Sequence, residues 1–284
     1  MPFLFNEIKI WHAKNNVVVQ YSKIKRRKRC GLMYASIIKP LKKLLLRRKW
    51  LTICFDARIR YHHILKNIGK QHYPFYLDVG AGPGYLAEEL RRRNLKIIVS
   101  DINFQQMREV KSSLKIEALV LDAAHLCFKD KTFDIVISSD VYEHLDQHQR
   151  AQFLKEILRV AKRKVIFTIS QVHKDNPQDI GIKIFEKVLD QDISSIDWWL
   201  EHNAKPFPHL QEIKRLLDEK GYSYEIKPYQ GVLSLFLLGI FIKFRFPRIF
   251  KLILNYFSYL ILLVIDFPPF YSFLFTIDLV RRNF

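Results

Sequence analysis

Cysteine is scarce in this chain of 284 residues: Cys30, Cys54 and Cys127 stand far apart, with no metal-ligand spacing and no even pairing framework. That argues against a structural zinc and a disulfide scaffold, and it fits a reducing compartment such as the cytosol. Apolar runs long enough to cross a bilayer are also missing. The two most apolar uncharged stretches, 232–242 and 252–265, cover eleven and fourteen residues, where a spanning helix needs roughly 20. No secretory signal is expected, because Lys9 and Lys14 interrupt the short apolar start and no small-residue cleavage site follows. Internal repeats and low-complexity tracts are absent too.

Negative charge is what the first seventy residues lack. They hold eighteen Lys or Arg against only Glu7 and Asp56, so most of the net +19 sits at one end of the chain. A nearly neutral body with a cationic segment implies an anionic partner: a membrane surface, a nucleic acid or an acidic substrate. Residues 22–29 form a basic block. From 37 to 50, Ile37, Ile38, Leu41, Leu44 and Leu45 recur at helical spacing, with Lys42, Lys43, Arg47 and Arg48 filling much of the opposite side. That is the pattern of a short basic amphipathic helix.

What the chain does have, from Phe75 onward, is short apolar runs alternating with helical stretches, the mark of βαβ units and a parallel sheet. Strands are expected at 75–79, 95–100, 117–121, 133–138, 165–170, 222–227 and 273–280. Helices are expected at 57–68, 85–93, 104–114, 146–161 (capped by Asp146) and 208–220. The uncharged stretches at 232–242 and 252–265 are read as interfacial helices or a shallow re-entrant hairpin, because four basic residues separate them, with a transmembrane anchor as the alternative. Four segments follow: a basic segment over 1–56, a core over 57–230, an apolar insertion over 231–270 and a final strand over 271–284.

The run Asp78-Val79-Gly80-Ala81-Gly82-Pro83-Gly84 follows a strand and opens a helix. Glycines there let the backbone turn tightly and approach a nucleoside closely. A dinucleotide fingerprint would put its third glycine where Tyr85 stands, which argues against a nicotinamide cofactor. Asp101 closes the second strand, where a carboxylate can accept from a ribose diol, and Asp122 closes the third, where it can meet an adenine amine. Either could merely cap a helix. Together with the glycine loop they mark one site at the carboxyl ends of successive strands.

In these residues the sequence resembles the class I S-adenosylmethionine-dependent methyltransferases, particularly the broad methyltransferase type 11 group, over about 57–170. The motifs are 77–84, Val99-Ser100-Asp101-Ile102-Asn103, Leu121-Asp122-Ala123-Ala124 and the run 133–145. The resemblance implies a Rossmann-like, doubly wound seven-stranded α/β sheet with an antiparallel last hairpin, and S-adenosyl-L-methionine as cofactor. It implies that Asp78, Gly80, Ala81, Gly82 and Gly84 face the methionine part, that Asp101, next to Ile102 of the same cofactor set, meets the ribose, and that Asp122 and Ala123 meet the adenine. Ser138 completes the expected cofactor set. A looser likeness, from Trp198-Trp199-Leu200-Glu201-His202 to Gly221, is to methyltransferases that modify glycans or lipids.

Methyl transfer from a sulfonium needs placement more than acid–base help. A base matters if the acceptor is a hydroxyl. Candidates are His144, with Glu143 beside it, His173 and His202; each has an ordinary structural alternative. Trp198 and Trp199 suit an apolar acceptor groove, a membrane interface or plain core. The expected function is methyl transfer to a lipid, lipid-linked glycan or other apolar acceptor, by a cytoplasmic protein peripheral at an anionic membrane face. An RNA methyltransferase and a catalytically silent, cofactor-binding membrane scaffold are the alternatives.

Overall fold

The computed structural model describes residues 54–69, 75–173, 203–244 and 247–280, with short stretches at 12–13, 16–17, 183, 186–188 and 200. The basic block at 22–29, the expected helix over 37–50, Trp198, Trp199 and His202 lie outside the described residues. The chain divides into two units, 1–47 and 48–284. In the first, His12–Ala13 pairs antiparallel with Asn16–Val17.

The larger unit is built on a sheet of seven strands: β1 (Tyr76–Val79), β2 (Ile97–Asp101), β3 (Glu117–Val120), β4 (Phe133–Ser139), β5 (Ala161–Ser170), β6 (Ser223–Gln230) and β7 (Ser272–Asp278). Their order is β3-β2-β1-β4-β5-β7-β6. The first five strands are parallel, and β7 runs antiparallel to both β5 and β6. The expected doubly wound sheet with its antiparallel last hairpin is the one that forms.

Helices α1 (Phe55–Ile68), α2 (Tyr85–Arg92) and α3 (Phe104–Leu114) cover one face, burying Ile59, Leu86, Leu90 and Met107. Helices α4 (Gln147–Val160) and α5 (Leu210–Glu219) cover the other, with Phe153, Ile157 and Ile213. Coverage on both faces is why β4 is buried at every position but its last and reads as a nearly continuous apolar run.

Two strands are longer than the hydrophobic pattern suggests. β5 begins at Ala161 and not at 165, because Lys162, Arg163 and Lys164 hide its start. Arg163 pairs with Asp134 at 3.3 Å and Lys164 with Asp278 at 3.5 Å, so the charges are held across the sheet. β6 continues through Pro228, which an edge strand tolerates because a missing N–H costs it no ladder bond.

The apolar insertion forms two helices, α6 (Val232–Lys243) and α7 (Arg248–Leu262). Pro247 takes the N-cap of α7, which moves its start four residues ahead of the uncharged run at 252. The hairpin packs on α1: Phe55 meets Phe241 edge-on at 5.9 Å, and Tyr259 reaches His62 at 3.2 Å. Its base is clamped shut. Asp266 accepts from Gly231 N–H (2.8 Å) and Ser234 Oγ–H (2.6 Å), and Val232 N–H donates to the Phe267 carbonyl (3.0 Å). A Cβ on residue 231 would lie 2.0 Å from that carbonyl oxygen, so only glycine fits. No helix among the described residues is long and apolar enough to cross a membrane.

Candidate functional site

The site grows from the end of β1. There Gly80 N–H and Ala81 N–H both donate to the Ser100 carbonyl of β2, at 2.8 and 3.0 Å, which bends the chain across the neighbouring strand. Gly80 adopts a φ of +73°, and a Cβ there would lie 2.1 Å from Val141 Cγ2. The turn therefore needs glycine on conformational and steric grounds. At Gly82 a Cβ would meet only the far end of the Gln106 side chain, at an ordinary contact distance of 3.8 Å, so the need for glycine there is its φ of +52°.

A cleft of about 420 Å³ opens at the carboxyl ends of β1 to β4, where the strand order reverses and open α/β sheets bind ligands. Of the candidate residues, Gly80, Asp101, Ile102, Asp122, Ala123 and His144 line it, and Asp78, Gly82 and Gly84 do not. Asp101 accepts from Gly82 N–H at 2.8 Å and from Asn103 N–H at 2.9 Å. Each of its oxygens keeps a lone pair for a hydroxyl. Asp122 accepts from Ala124 N–H at 2.9 Å and lies 3.0 Å from His125, whose hydrogen bond holds the Asp122 carboxyl below the usual range. Ile102, 76% exposed, lies bare on the rim, where a flat base would cover it.

Asp78 sits beneath the loop, only 1% exposed, and its Oδ1 has no hydrogen-bond partner. Burial, and secondly the nearby Asp101 carboxylate, push it up to about 7. A buried carboxyl oxygen with nothing to bond is a place for a cationic group from a ligand. The orphaned Asp78, the glycine turn whose Gly80 lines the cleft, and the acidic pair at the rim together fit S-adenosylmethionine. Its amino group would meet Asp78, its ribose Asp101 and its base Asp122 with Ile102.

Other expected residues are placed differently. Ala81 is 8% exposed and packed in the core. A Cβ on residue 84 would meet Val110 Cγ2 at 2.9 Å, so Gly84 serves the packing of α2 on α3. Ser138 donates to the Val79 carbonyl at 2.9 Å and ties β4 to β1. Glu143 is buried, accepts from Ser170 N–H at 2.9 Å and is pushed up to about 7 by burial. His173, a candidate base just past β5, is 2% exposed, with Nε2 2.9 Å from the Lys205 carbonyl, and does not line the cleft.

One residue the sequence left without a role joins the cleft. Asp140, just past β4, has the left-handed φ of +52° that Asp tolerates better than most residues. Thr168 Oγ–H donates to its Oδ1 at 2.7 Å, and Arg60 of α1 pairs with its Oδ2. A carboxylate at a strand's carboxyl end was a readable signal. Its partner, eighty positions upstream on a helix outside the matched motifs, gave none.

Comparison with known proteins agrees with this geometry. Residues 77–169 match a family model described as a methyltransferase domain. A mitochondrial arginine-hydroxylase of Danio rerio is 21% identical over 188 residues, covering 62% of this chain and 56% of that protein. The ubiquinone biosynthesis O-methyltransferase of Rickettsia typhi is 28% identical over 188 residues, covering 61% of this chain and 71% of that one. The chain spans about half the length of most curated relatives it matches. Among solved structures, a SAM-dependent methyltransferase from Archaeoglobus fulgidus aligns with a TM-score of 0.51 and 19% identity, covering 78% of this chain and 92% of that one.

Proposed function

We propose that this chain, a class I S-adenosylmethionine-dependent methyltransferase by its fold and by the domain match over residues 77–169, methylates an apolar acceptor drawn from a membrane surface. The cofactor supplies a methyl group already activated on a sulfonium. The protein's task is to bind it, exclude water and hold the acceptor in line. Asp78, Asp101 and Asp122 do the binding, and the tight turn at Gly80 brings the loop backbone to the cleft.

The membrane part of this reading rests on one observation: α7 turns two polar side chains inward and leaves most of its large apolar ones bare. Asn255 and Ser258, 4% and 3% exposed, face the protein beside the buried Leu262, while Phe250, Ile253, Phe257, Leu260 and Ile261, with Val264 just past the helix end, are 39–82% exposed. Among the described residues that outer face carries no apolar cover, and an exposed apolar face suits the interfacial layer of a bilayer. The cationic first seventy residues supply attraction to anionic headgroups. The Rickettsia relative is named for ubiquinone biosynthesis, which supports an apolar acceptor.

The test is incubation of membrane extract with S-adenosylmethionine labelled in the methyl group. Label should enter the organic phase with a product heavier by one methyl. Label in RNA would favour the nucleic-acid alternative. Bound cofactor with no transfer would favour the scaffold. A product heavier by oxygen, with label left on the cofactor, would favour the chemistry for which the Danio relative is named.

A further inference from the structure

A second cavity, of about 320 Å³, lies at the same edge of the sheet and meets the first at one residue, Asp140, which lines both. Its polar end is made by Arg60 and Asp56 of α1, Ser170 at the end of β5 and Gln230 at the end of β6. Its apolar end is the inner side of α6, with Leu235, Leu238 and Ile242. Leu235 is buried, whereas Ile242 is 37% exposed, so the cavity rim reaches the surface at the end of α6. The insertion is therefore a wall of a chamber as well as a surface feature.

We propose that this cavity is the acceptor chamber, and that it takes an uncharged, hydroxyl-bearing apolar molecule whose hydroxyl bonds to Asp140; this rests on the methyltransferase reading above. The charges lining the cavity decide the class of head group. Arg60 is already paired with Asp140, and the second carboxylate, Asp56, accepts from Gln230 Nε2 at 2.7 Å. Among the described residues that line the cavity, an anionic head such as a phosphate would find no spare cation and two carboxylates. A neutral hydroxyl finds an oriented acceptor in Asp140, fixed from one side by Thr168 and from the other by Arg60. The volume stands at the small end of the range of roughly 300–1,000 Å³ for small-molecule sites. It holds a ring-sized head, with the tail leaving past Ile242. Because Asp140 belongs to both cavities, a hydroxyl bonded there faces the cofactor cleft. Arg60 is a positioning residue, acting through Asp140.

The full-length protein is titrated with S-adenosylhomocysteine alone, then with para-hexylphenol in its presence, by calorimetry. Para-hexylphenol should bind, and hexylbenzene and hexyl phosphate should bind at least about tenfold more weakly. Leu238→Trp and Ile242→Trp, which put bulk into the chamber, should weaken para-hexylphenol by about tenfold or more and leave S-adenosylhomocysteine affinity unchanged. Asp140→Asn should reduce the preference for the phenol over hexylbenzene, because a charge-assisted bond is exchanged for a neutral one. Retained S-adenosylhomocysteine binding shows that each variant is folded. If both tryptophan variants bind para-hexylphenol like the wild type, or if hexyl phosphate binds best, the chamber assignment is overturned while the methyltransferase reading stands. If wild-type protein ignores S-adenosylhomocysteine, that separate titration sinks the methyltransferase reading itself.

Discussion

Asp78 shows how a single buried carboxyl couples charge to ligand binding. Its ordinary range is near 4, and burial raises it to about 7. In the free protein it is neutral below about pH 7 and ionised above. The raised value means that its ionisation works against folding. That cost is absent below pH 4, grows between about 4 and 7, and is constant above. A cationic amino group beside it favours the ionised form, so binding is strongest where Asp78 is already charged. S-adenosylhomocysteine affinity should therefore fall as pH drops through about 7, by up to roughly tenfold per unit. Asp78→Asn should bind weakly and with a flatter profile. Calorimetric titration across this range checks both, and a flat wild-type profile would remove Asp78 from the cofactor's amino group.

At the scale of elements, the α6–α7 hairpin owes its placement to a clamp far from its tip. Asp266 satisfies Gly231 N–H, Leu233 N–H and Ser234 Oγ–H, the first groups of α6, from the other end of the insertion. This long-range N-cap joins two ends more than thirty residues apart. Asp266→Ala should cost about 1–2 kcal/mol, a fall in Tm of roughly 2–8 °C for a unit of this size. Proteolytic cleavage between α6 and α7 should quicken by more than Tm alone explains, because the hairpin opens locally. Unchanged cleavage and Tm would mean that packing on α1 alone holds the hairpin. The same Asp266 is visible in the sequence only as the residue that ends an apolar run; its role as a cap depends on the chain returning to β7.

For the whole molecule, the outward face of α7 and the basic first seventy residues predict two separable kinds of membrane attachment. Charge attraction is screened by salt, because the Debye length is about 8 Å at physiological ionic strength. Apolar burial is not, and each large side chain removed from water contributes roughly 1.5–3 kcal/mol. Phe257→Asp with Val264→Asp, at 56% and 82% exposure, should leave vesicle binding that high salt abolishes, whereas wild-type binding should persist. Co-sedimentation with anionic vesicles across a salt series measures this. Salt-sensitive binding by the wild type as well would leave α7 with no part in attachment.

The sequence by itself determined the sheet and the cofactor loop, because both are local. Apolar runs alternating with helical spacing place five parallel strands, and a glycine turn between a strand and a helix has few other uses. Asp101 and Asp122 could be found by position, each at the carboxyl end of a strand. Long-range geometry decided the rest. Which side of α7 faces water is hidden in a run that is apolar almost all round, and only packing on α1 turns Asn255 and Ser258 inward and leaves Val264 bare. The ion pair of Arg60 with Asp140, and the chamber beside it, join α1, β4, β5, β6 and α6. Those elements lie far apart in the chain, and a contact between distant residues leaves no periodicity in one sequence to read.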